Sequence, residues 1–305
     1  MNHIEGLIAA PFTPFEQDGA LKLEVVKKQV DLLVNSNVKG AFVGGTTGEA
    51  MSLTIQERKQ LAQRWMEESP SDFKVMVQCG HTALTVCKEI AAHAREIGAY
   101  AVGAMGPFFY KPISVKELVS FTREIAAVTP ELPFYYYHIP SMTGLDFQMI
   151  EYLEMAYQEI PNLAGIKFTH EDLVDFKLCS EYMDGKYEML YGRDETLICG
   201  LALGARGAIG STYNYNTPIY NKIINAWEEK NIERANELQY KVMQFVRILN
   251  QYGGGIVAGK AIMKLVGVDC GPVREPLDSL SESDLMKFEK ELAAIGFFET
   301  LKTQV

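Results

Sequence analysis

The sequence predicts an α/β protein, a (β/α)8 TIM barrel with a C-terminal helical extension, and three observations carry that expectation. Short apolar, β-rich runs alternate with longer stretches whose apolar residues recur at three- and four-residue spacing. There are eight such runs, starting about 20 to 35 residues apart, which is the length of one βα unit. The runs are continuously apolar rather than alternating, as expected of a parallel sheet covered on both faces. A doubly wound open sheet is the competing arrangement, but the Gly-rich phosphate loop that usually follows its first strand is missing.

Taken in order, the strand candidates are 6–12, 41–45, 74–80, 99–105, 133–139, 163–169, 187–192 and 207–211. Two of the intervening helices illustrate the helical spacing. Over 55–66, Ile55, Leu61, Ala62, Trp65 and Met66 fall near one face, and over 86–97, Ile90, Ala91, Ala94 and Ile97 do the same. The barrel is expected to occupy residues 1–230. Beyond it the strand pattern stops, and 231–305 reads as helices over 233–249, 258–266 and 281–295, the last opened by Ser281 as N-cap of the run Ser-Glu-Ser-Asp. No stretch rich in Pro, Gly or Ser separates the two parts, so the helices are expected to pack on the barrel.

Composition narrows the function. Of the 305 residues, 48% are hydrophobic and 22% charged, as in an ordinary globular protein. A formal charge of -10 argues against nucleic-acid binding, which needs Lys and Arg to neutralise phosphates. It does not argue against a small anionic substrate, because backbone N–H groups supply local positive potential. The five cysteines are scattered without a CxxC pair, which reads as reduced thiols in a cytoplasmic protein. The first residues carry no basic region ahead of an apolar one, so no signal peptide is expected, and no run approaches the roughly 18 apolar residues of a membrane span.

In such a barrel the chemistry collects at the C-terminal ends of the strands. That rule selects Gly44-Gly45-Thr46-Thr47-Gly48-Glu49, Gly106-Pro107-Phe108-Phe109-Tyr110, Tyr137-His138-Ile139-Pro140, Gly165-Ile166-Lys167-Phe168-Thr169, Gly192-Arg193-Asp194-Glu195 and Gly210-Ser211-Thr212. Lys167 is the most informative, because it interrupts an apolar strand. Burying an ammonium is costly unless it is paired or loses its proton. Bringing its pKa to about 7 needs roughly 4.6 kcal/mol, within reach of desolvation at a barrel mouth. A neutral lysine there attacks a ketone to form a Schiff base. A strand-end lysine that reaches solvent or pairs with a carboxylate is the other reading.

The loop holding Thr46 and Thr47 offers backbone N–H groups and hydroxyls to a small carboxylate, although such a loop can equally be a plain connection. Tyr137 suits proton transfer if its hydroxyl faces Lys167, and packing otherwise. Asp194 and Glu195 suit polyol hydroxyls, or else the positive end of the following helix.

The order GGTTGE, YHIP, GIKFT, GRDE and GST resembles the dihydrodipicolinate synthase and N-acetylneuraminate lyase superfamily, over essentially the whole chain. The resemblance implies Lys167 as the Schiff-base lysine, Tyr137 as the proton-transfer tyrosine, and Thr46 and Thr47 as holders of the pyruvate-derived carboxylate. Thr169 of the GIKFT motif joins them on the substrate side. Tyr110 matches a family tyrosine that works near the site of a neighbouring subunit, which implies a homotetramer; a buried aromatic beside Phe108 and Phe109 is the alternative.

In the synthase branch an arginine follows the tyrosine motif, and here Met142 takes its place, so a second substrate carboxylate lacks a cationic partner. Gly192, Asp194, Glu195 and Ser211 resemble the lyase branch, where the corresponding groups bind sugar hydroxyls. The resemblance therefore implies retro-aldol cleavage of N-acetylneuraminate to pyruvate and N-acetylmannosamine. No metal or cofactor is called for, because the iminium is the electron sink. His138 stands where the family usually has Asn, with no consequence legible from sequence.

Overall fold

Eight parallel strands close into one barrel in sequence order, in a computed structural model that describes residues 3–301. They are β1 (Gly6–Ala9), β2 (Gly40–Val43), β3 (Lys74–Gln78), β4 (Ala101–Met105), β5 (Phe134–His138), β6 (Leu163–Phe168), β7 (Glu188–Tyr191) and β8 (Gly207–Gly210). Around them lie α1 (Val25–Asn35), α2 (Ile55–Glu68), α3 (Leu84–Glu96), α4 (Val115–Ala126), α5 (Pro140–Thr143), α6 (Met149–Glu159), α7 (Leu173–Glu181), α8 (Leu197–Ala202) and α9 (Thr217–Glu228). The chain continues as α10 (Ile232–Gln251), α11 (Gly254–Leu265), α12 (Glu282–Ala294) and α13 (Phe297–Leu301).

All eight expected strands form; seven end short of their expected exit, β4 instead starting late, and the first two stop for legible local reasons. Pro11 has no N–H to donate, so regular pairing of β1 ends at Ala9. After β2, Gly44 turns to φ 69, a left-handed conformation that glycine adopts without strain, and the chain leaves the sheet. Helix starts follow capping chemistry. Thr54 and Glu57 make a reciprocal capping box at α2, and Ser281 accepts from the amide of Asp284 at the start of α12, as expected.

Three helical features depart from expectation. The one-turn α5 is started by Pro140 at a position where a missing N–H does no harm. The second tail helix begins at Gly254 rather than 258, because glycine is tolerated in a first turn whose amides are unbonded in any case. A short fourth tail helix, α13, lets Phe297 stack on Phe245 with ring centroids 4.9 Å apart.

The core has three parts. Outward strand residues such as Val43, Val77, Tyr136 and Phe168 pack against the surrounding helices. Inward residues, including Ile8, Phe42, Met76, Tyr135, Tyr137, Leu190 and Ile209, fill the barrel. The alternation along β5, with Tyr135 and Tyr137 inside and Phe134 and Tyr136 outside, is the pleat at work. The third part joins α10, α11, α12 and α13 to Phe12 and Tyr215. Each fully buried Phe or Leu there stabilises by roughly 1.5–3 kcal/mol.

A charged clamp also ties the tail to the barrel. Lys260 on α11 pairs with Glu49 at 2.7 Å, both side chains being nearly fully buried. The amide of Arg274 donates to the other Glu49 oxygen at 2.8 Å, while its guanidinium binds Glu57. Phe15 packs under both cations, 4.2 Å from Lys260 Nζ and 4.3 Å from the Arg274 guanidinium carbon.

Candidate active site

A cavity of about 550 Å³ opens at the C-terminal end of the barrel. Thr46, Thr47, Tyr137, Lys167, Thr169, Gly192, Asp194, Glu195 and Ser211, widely separated in sequence, all line it. β6 delivers Lys167 inward, in register with Tyr137 on β5 and Leu190 on β7. The ammonium-bearing end is 4% exposed for the residue as a whole, with Nζ 4.0 Å from the centroid of the Tyr137 ring and 4.4 Å from that of Phe42. Aromatic walls of this kind remove water, and burial pushes the Lys167 amine down to about 7, with Asp194 opposing the shift. A lysine reaching out to solvent is not what the structure contains.

Burial pushes the Tyr137 phenol up to about 12, and the hydroxyls of Thr46 and Thr169 temper the rise. Thr46 Oγ1 is 3.3 Å from the phenolic oxygen, while Thr169 Oγ1 is buried and makes no hydrogen bond of ordinary geometry. In the loop after β2, Gly48 and Glu49 donate back to Gly45 and Thr46, forming a turn. The amides of Thr46 and Thr47 make no hydrogen bond to any described residue, which leaves two adjacent N–H donors at the cavity edge.

Asp194 sits in a short turn of 3-10 helix, Asp194–Thr196, just after β7. Its carboxylate reaches across to the exit of β8, accepting from Thr212 N at 2.9 Å and Thr212 Oγ1 at 2.7 Å. Burial raises its pKa to about 6 against those hydrogen bonds. A side chain at Gly210 would collide with this carboxylate, so glycine is required there by close approach. Glu195 pairs with Arg193 at 2.8 Å.

Tyr110 is the exception among the expected site residues. It is 85% exposed beside Phe109, itself 73% exposed, and it does not line the cavity of its own chain. The alternative reading of Tyr110 as a buried aromatic is thereby overturned, for the connection from β4 to α4 leaves Phe109, Tyr110 and Ile113 all exposed.

Thr212, which the strand-exit rule selects, anchors Asp194, and its hydroxyl is 2.5 Å from that of Tyr220. Other elements of the cavity escaped the sequence. Gly253, Gly254 and Ile256, at the start of α11, form one wall of the cavity. A smaller, mainly apolar recess of about 260 Å³ adjoins it, sharing Thr46, Met142, Ile256 and Leu277. His138 faces the helix layer instead of the cavity. It is fully buried against Phe168 and His170, neither ring nitrogen has a partner, and burial pulls its pKa down to about 3. Among the described residues no group of three or more His, Cys, Asp or Glu is gathered to hold a metal ion.

Residues 3–295 match the dihydrodipicolinate synthetase family. The chain belongs to that family. Within this family its relatives include the N-acetylneuraminate lyase of Rattus norvegicus, 39% identical over 298 residues that cover 96% of this chain and 93% of the relative. That of Gallus gallus is 40% identical over 296 residues, covering 96% of each. Among solved structures, Proteus mirabilis N-acetylneuraminate lyase superposes with a TM-score of 0.94 at 38% identity, over 97% of this chain and 100% of the other. The sialic acid aldolase of Aliivibrio salmonicida gives 0.94 at 37% identity, over 97% and 98%.

Proposed function

We propose that this protein is a class I aldolase, a carbon–carbon lyase that cleaves N-acetylneuraminate to pyruvate and N-acetylmannosamine. The observation that carries the reading is a buried lysine, poised near neutrality, facing a tyrosine in a cavity lined by carboxylates and hydroxyls. Relatives named N-acetylneuraminate lyase, similar along nearly the whole chain, support the choice of substrate.

The Lys167 amine attacks the C2 ketone of the open-chain sugar acid, and loss of water leaves a protonated imine. The C3–C4 bond then breaks, its electron pair entering the iminium to form an enamine. The C4 hydroxyl proton leaves through Tyr137, or to the substrate carboxylate by way of that hydroxyl, and the aldehyde of N-acetylmannosamine departs. Protonation of the enamine at C3 and hydrolysis release pyruvate and restore the amine. A phenol near pKa 12 stays protonated at neutral pH, so Tyr137 both donates and accepts as a relay.

The free amides of Thr46 and Thr47, with their hydroxyls, receive the substrate carboxylate, with Thr169 beside them. Gly192, Asp194, Glu195 and Ser211 receive the hydroxyls of the sugar chain. Met142 borders the cavity where a synthase would need a cation, which disfavours an aldehyde substrate carrying its own carboxylate.

The exposed Phe109, Tyr110 and Ile113 support assembly with further copies, and a homotetramer is the form proposed; Tyr110 would then serve a partner's site. Sedimentation velocity checks it. Five free cysteines are consistent with a cytoplasmic protein, and no helix of the described residues is long and apolar enough to cross a membrane.

Borohydride reduction in the presence of pyruvate, followed by mass spectrometry, tests the chemistry. An adduct on Lys167 that disappears in Lys167→Ala is expected, together with turnover of N-acetylneuraminate above that of other 2-keto acids. An unmodified parent protein would overturn the reading in favour of a ligand-binding barrel without catalysis. Adduct formation with better turnover of a different keto acid would assign another pyruvate aldolase of the same family.

A further inference from the structure

Arg193 is the member of the Gly192-Arg193-Asp194-Glu195 run to which the retro-aldol reading gives no task. It lines the main cavity. Its Nη2 is shared between two carboxylates, Glu195 at 2.8 Å and Glu171 at 2.9 Å. The two acids are unlike in setting. Glu195 lines the cavity with its side chain 30% exposed, whereas Glu171 is 75% exposed on the connection from β6 to α7. The guanidinium is thus tethered from the solvent side while it grips the acid on the cavity side.

We propose that Arg193 is a positioning and specificity-determining residue for the sugar end of the cavity: held by Glu171 on the solvent side, it aims the Glu195 carboxylate at hydroxyls of the bound chain. This rests on the reading of the cavity as the site of an aldolase for an acylated sugar acid. A partly exposed glutamate samples several rotamers, and a carboxylate that must accept from particular hydroxyls gains from a planar partner that fixes its direction. Lysine in the same place would supply charge without the fork. The charge balance also selects the ligand. One guanidinium faces Glu171, Glu195 and the nearby Asp194, so this end retains negative character and disfavours a second carboxylate or a phosphate. A neutral polyol chain bearing hydroxyl or acyl oxygens fits it.

The test compares the full-length parent with Arg193→Met and Arg193→Lys by two readouts, KM and kcat for N-acetylneuraminate, and the pyruvate concentration giving half-maximal borohydride trapping. Arg193→Met is expected to raise KM by about tenfold to a hundredfold, the loss typical of a charge-assisted hydrogen bond, with half-trapping by pyruvate unchanged. Arg193→Lys is expected to recover only part of the loss. In a Glu195→Gln background the further effect of Arg193→Met should shrink to less than threefold, because the arginine acts in large part through Glu195.

Unchanged KM in both variants would overturn the proposal, and so would a parallel shift in pyruvate trapping, the mark of a general disturbance. Should Arg193→Met fail to fold, Arg193→Lys decides alone, with wild-type KM counting against. Failure of the underlying aldolase reading would be visible separately, as absent trapping in the parent.

Discussion

Tyr137 and Lys167 are register partners on β5 and β6, and the lysine nitrogen lies 4.0 Å from the centroid of the tyrosine ring. The pairing places a phenol beside an amine, and the same ring excludes water from that amine. A stability consequence follows with a definite sign. The Lys167 pKa is about 7 in the folded chain and 10.5 without the fold. Between those values the unfolded chain binds a proton that the folded chain has shed, so folding becomes more favourable as pH rises through that window; below about 7 the burial penalty is fully present. Lys167→Met should therefore be more stable than the parent at pH 7, by on the order of a few kcal/mol, with the margin shrinking towards pH 10. Denaturant titrations at the two pH values measure it, and a margin independent of pH would contradict the buried, near-neutral amine.

Activity should show the same group from the other side. Attack requires the free amine, so kcat/KM is expected to fall below pH about 7 with unit slope. A pH–rate profile of the parent reads the limb directly.

Tyr137→Phe keeps the ring that desolvates Lys167 and removes the hydroxyl proposed as the relay. Turnover is expected to fall by about 10²- to 10⁴-fold while pyruvate still forms a borohydride-trappable imine. Near-normal turnover would move proton transfer to another group.

The Glu49–Lys260 pair should be expensive to break from one side. Lys260→Met leaves a buried carboxylate without its cation and is expected to cost about 3–5 kcal/mol, whereas Lys260→Met/Glu49→Gln should regain much of that loss. Chemical denaturation of the three proteins provides the comparison; equal stability of single and double variants would show that the pair is dispensable.

His138→Leu replaces a buried ring whose nitrogens meet nothing with an apolar side chain. Stability is expected to rise by about 1 kcal/mol, and pyruvate trapping to stay at the parent level because the ring faces His170 and Phe168. Loss of trapping would place His138 inside the site after all.

Much of this was legible in the chain, and the reasons differ by residue. The strands were readable because a barrel strand covered on both faces must be apolar throughout, which made Lys167 conspicuous as an exception. Site residues at strand exits followed from topology alone once the strands were counted. The tie of Thr212 to Asp194, the clamp by Lys260 and the wall from Gly253 to Ile256 were not readable, because these roles arise from contacts between segments apart in sequence. Nothing local distinguishes Thr212 from any threonine after a strand. The helix start at Gly254 was hidden by glycine itself, which reads as a breaker wherever it stands. The exposure of Tyr110 is likewise a matter of how far one loop projects.

The clamp on Glu49 has a consequence for the order in which the protein is made. Arg274 follows Glu49 by 225 residues, and Lys167 is synthesised well before either Lys260 or Arg274. A nascent chain with all eight strands outside the ribosome already carries Lys167, yet still lacks the contacts of Lys260 and Arg274 to Glu49 and the α11 residues that close the cavity wall. Closure of the cavity therefore waits on the segment that follows the barrel.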